Sequence, residues 1–103
     1  MAHQVRLEIF EWDYEKEVRN IAKHGIGFEE AALAFRDPNL ILEEDITHSP
    51  HENRWFCFGK VGQRILTVRF TYRGKMIRIL GAGAWRKGRK VYEKENPPEE
   101  KTK

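Results

Sequence analysis

A change of hydrophobic period at Asp37-Pro38 divides the chain and narrows the folds open to it. Before that point apolar residues recur at helical spacing, and after Pro38 they alternate with a period of two. Tyr14, Val18, Ile21 and Ala22 form a helical stripe that predicts a buried face. Asp13 stands as its N-cap, Glu15 and Glu17 suit the positive end of the helix dipole, and Gly25 suits the left-handed C-terminal position. Phe28, Ala31, Ala32 and Phe35 give a second helix from about Phe28 to Phe35, which Asp37-Pro38 stops. Ahead of the helices, Arg6 to Trp12 alternates as a short strand.

Four strands are expected after Pro38: Leu40-Ile41-Leu42, Arg54 to Lys60, Arg64 to Tyr72 and Lys75 to Leu80. Turns at Val61-Gly62 and Arg73-Gly74 join the last three as an antiparallel meander, and the polar segment Glu43 to Asn53 is expected to be a loop. Gly81-Ala82-Gly83 ends the last strand, and Trp85 to Glu95 forms a basic helix that Asn96-Pro97-Pro98 breaks. The fold class is therefore α+β: an N-terminal strand and two helices packed on a mainly antiparallel sheet, with a basic C-terminal helix. With 103 residues there is room for one domain, expected over 1–95, followed by a mobile tail over 96–103.

Parity along the third of these strands predicts that Leu66, Val68, Phe70 and Tyr72 face the helices, while Arg69 faces water or a ligand. Arg78 shares a face with Met76 and Leu80, so it is either paired with an acid or lines a concavity.

Charge is split along the chain. Residues 1–53 hold 5 Lys/Arg against 12 Asp/Glu, and residues 54–103 hold 14 against 4. From Arg54 to Tyr92 there are eleven bases and no acid. Such a one-signed segment attracts a polyanion, unless the acidic half neutralises it within the fold. The apolar runs are only a few residues long, so a membrane span is excluded. The first residues lack the apolar stretch of a secretory signal, and the single Cys57 has no internal disulfide partner. The expected compartment is the cytoplasm.

Strand cleavage of RNA at a 2′-OH requires a proton acceptor, cations against the growing phosphate charge and an acid for the leaving 5′-oxygen. His24, His48, His51 and Glu52, and more remotely Lys23 and Tyr92, are the available proton carriers. His48 and His51 are three apart, but Pro50 between them argues against a helical metal pair, and no third ligand stands out. Cys57, inside Trp55-Phe56-Cys57-Phe58, reads as a small buried hydrophobe. Trp85 and Tyr92, seven apart on the last helix, either stack on bases or pack into the core.

Phe10-Glu11-Trp12-Asp13, Asn20 to Gly25, Phe28-Glu29-Glu30-Ala31, Phe35-Arg36-Asp37-Pro38, His48-Ser49 with Glu52 and Arg54, Ile77-Arg78-Ile79 and Tyr92-Glu93 together resemble the BrnT family of type II toxins. The order and spacing hold over residues 7–95. The resemblance implies a RelE-like α+β fold and a translation-arresting endoribonuclease that uses no metal or other cofactor. It also implies a BrnA-type antitoxin, a ribbon-helix-helix DNA-binding protein that masks the toxin and is its only link to DNA. On this basis the candidate catalytic residues are Arg64, Arg78 and Arg86 on the phosphate, with Lys23, His24, His48 or Glu52 as proton carrier. Lys87, Arg89, Arg69 and Trp85 are candidates for holding the flanking RNA.

Two positions depart from the family pattern. Many members end the last strand with Ser-Ala-Arg, where this chain has Gly81, Ala82 and Gly83, and many have Ser where this chain has Gly27. The absent arginine favours a second reading, a BrnT-like module that binds antitoxin or RNA without cleaving it.

Overall fold

The computed structural model describes residues 4–47 and 52–98. The opening segment is a hairpin rather than one strand: β1 (Gln4–Leu7) pairs antiparallel with β2 (Phe10–Asp13) in the register Leu7↔Phe10. Glu8 makes the reversal at a positive φ of 58°. Asp13 then caps α1 (Tyr14–His24), its side chain accepting from the Glu15 N–H at 3.1 Å. Gly25, at φ 71°, closes that helix by donating its N–H to the Ile21 carbonyl. α2 (Phe28–Leu33) follows and tightens into a 3-10 turn over Ala34–Arg36 before Asp37.

The remaining elements are β3 (Ile41–Asp45), β4 (Arg54–Val61), β5 (Arg64–Arg73), β6 (Met76–Gly83) and α3 (Arg86–Glu95). The sheet has six strands in the order β1-β2-β6-β5-β4-β3, and its neighbours are antiparallel except β2 and β6. Thus the N-terminal strand inserts parallel to the last one, with Phe10↔Ile77 and Trp12↔Ile79. β3 extends through Glu43, Glu44 and Asp45, which were expected in a loop. Asp45 pairs with Arg54 across the edge, so backbone pairing carries a segment that has no apolar alternation of its own.

Trp12, Ile26, Phe28, Leu66, Val68, Phe70 and Ile79 are fully buried on one face of the sheet, under α2 and the 3-10 turn. Leu66, Val68 and Phe70 lie inside as their parity predicts. Tyr72 does not: it is 52% exposed at the end of β5. The opposite parity is also buried at Thr67 and Thr71, because α3 covers the first and the Asn53 carbonyl accepts from the second at 2.6 Å. α3 comes this close because Gly88 has no side chain; a Cβ there would collide with the Thr67 hydroxyl and the Phe58 ring.

The expected burial of the α1 stripe is overturned. Tyr14, Val18 and Ile21 are 49%, 46% and 47% exposed, Ala22 is exposed too, and α1 buries no residue. Polar side chains hold the helix instead. Glu17 accepts from the Trp12 indole and from the Phe28 N–H, both at 2.9 Å. Asn20 donates to the Ile26 and Ala82 carbonyls at 2.9 Å and accepts from the Ala82 N–H at 3.1 Å. Period alone tells which residues share a helical face, but not which face meets the sheet; here unpaired backbone groups decide it. Asn20→Ala removes three hydrogen bonds at once and is expected to lower stability by on the order of 2–4 kcal/mol, read from urea denaturation midpoints at constant slope.

Candidate nucleic-acid interface

On the sheet face opposite the core, cross-strand register sets two rows. Glu43, Phe56, Arg69 and Gly81 form one row across β3, β4, β5 and β6, and Ile41, Phe58, Thr67 and Gly83 form the next. Directly paired residues share a face, so these rows are the floor of a surface that α3 only partly covers. The β6 end of both rows is glycine. At Gly83 the bare space is filled from above: a Cβ there would lie 2.5 Å from the Trp85 ring. The Trp85 indole meets the His24 ring edge-on, with centroids 4.9 Å apart. The C-terminal end of α1 and the residue ahead of α3 are thereby joined across β6.

Trp85, 39% exposed, is a wall shared by three hollows. The first, of about 590 Å³, holds Lys16, Arg19, Lys23, His24 and Arg69. The second, of about 410 Å³, gathers Lys60, Arg64, Arg86 and Arg89. The third is an apolar groove of about 510 Å³ with Phe56, Phe58 and Val91 along it, and Glu43 and Lys87 among its polar lining. Cations on both sides of an exposed indole form a surface suited to a sugar-phosphate strand.

The structure brings together Lys23, His24, Arg69 and Trp85, and separately Arg64, Arg86, Arg89 and Trp85. Lys87 lines the apolar groove. Arg78 lies apart, with its guanidinium donating to Gln4 at 2.6 Å and to Glu11 at 3.3 Å. Of the two roles left open for Arg78, the structure has the acid partner. Glu52 is also apart, 3.9 Å from both Arg54 and Arg73. His48 and His51, and with them the question of a metal pair, lie outside the described residues. Sequence reasoning missed Lys16, Arg19 and Phe56. The first two sit in the acidic half, where net charge hid them, and Phe56 lies in an apolar strand segment with no charge to mark it.

Neutralisation by the front half is real but selective. Arg64 meets Glu30 at 2.6 Å, Arg78 meets Glu11, and Arg54 and Arg73 share Glu52. Lys16, Arg19, Lys23, Lys60, Arg69, Arg86 and Lys87 carry no ion pair among the described residues. These seven line the hollows that share Trp85, whereas Arg64 and Arg89 in the same lining are paired with Glu30 and Glu93.

Residues 12–88 match the family described as ribonuclease toxin, BrnT, of type II toxin-antitoxin system. The chain belongs to the BrnT family. No curated protein matches it. Among the described residues, no helix is long and apolar enough to cross a membrane.

In this BrnT chain the space above the glycine at position 83 belongs to Trp85, so an arginine there and this indole placement exclude each other. Cys57 takes no part in the surface: burial, then the Asp37 charge, push its thiol up to about 12, which leaves it protonated and inert at neutral pH.

Tyr92 packs rather than stacks. It is 7% exposed, and its hydroxyl donates to Asp37 at 2.7 Å. Burial and that carboxylate raise the Tyr92 hydroxyl to about 12. Asp37 also accepts from the Asn39 and Lys60 N–H groups at 2.9 and 2.7 Å. Burial pushes Asp37 upward, but these hydrogen bonds and the Lys60 charge outweigh it and hold the carboxyl below its ordinary 3.8. A carboxyl depressed on folding stabilises above its unfolded value and loses that contribution as pH falls through the folded one. Titrating chemical stability from about pH 5 to about pH 2 is therefore expected to narrow the gap between the wild type and Asp37→Asn.

Proposed function

We propose that this chain is an endoribonuclease toxin that cleaves RNA by attack of the 2′-oxygen on the neighbouring phosphorus and so arrests translation. The observation that carries this reading is the hollow beside Trp85, where an imidazole (His24) and four cations without an ion pair (Lys16, Arg19, Lys23, Arg69) converge among the described residues. His24 accepts the 2′-OH proton, and the 2′-oxygen then bonds to phosphorus. The phosphorus–5′-oxygen bond breaks, and the departing oxygen takes a proton from the Lys23 ammonium. Arg69 and Arg19 stabilise the charge that grows on the non-bridging oxygens. The products are a 2′,3′-cyclic phosphate and a free 5′-OH, and none of these steps calls on a metal. Arg64, Arg86 and Arg89, on the far side of the indole, hold the adjoining strand.

Family membership supports an antitoxin partner, and we propose a BrnA-type ribbon-helix-helix protein that covers the basic surface and thereby excludes RNA. Gly83 favours the second reading, binding without cleavage, because the last strand ends there without the arginine that the resemblance implies.

Expression without antitoxin, together with purified protein on RNA in the presence of a chelator, separates the two. Growth arrest and cyclic-phosphate ends are expected, and His24→Ala is expected to slow cleavage by on the order of 10²–10⁴-fold. Binding without any cyclic product would leave only the binding module. Arg69→Ala is expected to flatten the dependence of log affinity on log salt by about 0.7 for each phosphate that the variant no longer neutralises, measured on single strands.

A further inference from the structure

The apolar groove walled by the indole is not used by the phosphate chemistry, and its composition is unusual for this surface. Its floor is Phe56 and Phe58, whose rings stack at 5.8 Å and 26°, and the Trp85 indole and Val91 stand along it. Arg69, which lines the cationic hollow, is the direct cross-strand neighbour of Phe56. A nucleotide with its phosphate at Arg69 therefore has aromatic rings within reach of its base. Single-stranded RNA is read in this way, with unstacked bases laid on aromatic side chains and hydrogen-bonded along their Watson–Crick edges.

At the outer end of the groove stands Glu43, next to Phe56 in the cross-strand row and on the exposed edge strand β3. It has no hydrogen bond or ion pair among the described residues. Within the groove lining Glu43 is the carboxylate, and a carboxylate repels phosphate but suits a neutral ring that offers hydrogen-bond donors. A carboxylate is acceptor-only, with two oxygens side by side. Among the four bases, guanine alone offers two adjacent donors on its Watson–Crick edge, N1–H and the N2 amino group. Adenine and cytosine set one amino donor beside a ring acceptor, and uracil sets one N–H between two carbonyls.

We propose that the Phe56–Trp85 groove is a nucleobase pocket that takes one unpaired guanine, with Glu43 accepting from its N1–H and N2 amino group. This rests on RNA being the substrate and assigns the base preference of the same surface. The pocket sits beside the reacting phosphate, so guanine next to the cleaved bond is favoured, and paired guanine, whose edge is already occupied, is refused.

Binding to uncleavable strands tests the pocket apart from the nuclease chemistry. The probes are five-residue 2′-O-methyl oligonucleotides, abasic except at the centre, which carries guanine, adenine, uracil or no base. Fluorescence anisotropy on wild-type protein is expected to show guanine binding about ten-fold or more tighter than the fully abasic strand. Glu43→Gln is expected to remove the preference of guanine over adenine while keeping an aromatic gain over the abasic strand. Trp85→Ala is expected to bring the guanine strand down to the abasic affinity, and Trp85→Phe to restore most of the difference. Equal affinity for guanine and abasic strands would overturn the pocket, as would a guanine preference that Glu43→Gln leaves unchanged. A Trp85→Ala effect equal on every strand would mark the ring as structural and overturn it too. Glu43 is exposed on an edge strand, so its variant keeps the question answerable if Trp85→Ala fails to fold, which circular dichroism reveals. Guanine-dependent binding without RNA cleavage would sink the nuclease reading alone, and cleavage without guanine-dependent binding would sink the pocket alone.

Discussion

Everything the cationic hollow does depends on how α1 is docked, and the docking is polar. Asn20 satisfies the Ala82 N–H and carbonyl near the end of β6, and Glu17 satisfies the first amide of α2 together with the Trp12 indole. Hydrogen bonds have directions, so they fix the helix in rotation and in height, which an apolar stripe sliding on an apolar sheet would not. Lys23 and His24 lie one turn beyond Asn20 and inherit that placement. His24 then completes the join by meeting the Trp85 ring. The exposed Tyr14, Val18 and Ile21 are the consequence: the face that could have packed is turned outward because the face that can hydrogen-bond is turned in.

The opposite charges of the two halves have a division of labour. Carboxylates of the front half neutralise arginines at the margins of the sheet: Glu11 at Arg78, Glu30 at Arg64, and Glu52 between Arg54 and Arg73. Of these pairs, Arg78–Glu11 is the one largely withdrawn from water, with side chains 11% and 9% exposed, so it is the most strongly coupled to folding. The others are solvent-exposed pairs of small stabilising effect, and a phosphate can compete for them. Arg64 is thus both paired with Glu30 and on the rim of a hollow. The central cations have no acid to leave.

Much of the fold was legible because it rests on local rules. Asp13, Gly25, Pro38 and the turns at Gly62 and Gly74 act through neighbours in sequence, and each lies where its chemistry predicts. What was illegible depends on distant partners. The orientation of α1 is set by backbone groups sixty residues away, and Glu43 to Asp45 become a strand only because β4 offers an edge. Parity along β5 found the core side but failed at Tyr72, beyond the reach of the helices. The same limit applies to the site. Arg69 and Trp85 were visible as candidates from parity and from a basic aromatic helix start, whereas Lys16 and Arg19 belong to an acidic half and join the hollow only through tertiary packing.

Position 83 shows how the absence of a side chain shapes the surface. A bare Gly83 lets the Trp85 ring lie down on the end of β6, and from there the ring separates the two cationic hollows and walls the apolar groove. An arginine at that place would put a further cation on the sheet but would evict the indole, and with it the contact to His24. Positive charge is present around the ring in Lys23, Arg69 and Arg86, none of which is ion-paired among the described residues. Charge on a strand-binding surface is interchangeable over a few ångströms, because phosphates respond to the summed field. An aromatic plane is not interchangeable, since stacking requires contact. Glycine at position 83 therefore leaves the summed positive field around Trp85 in place and adds an aromatic plane to the same surface.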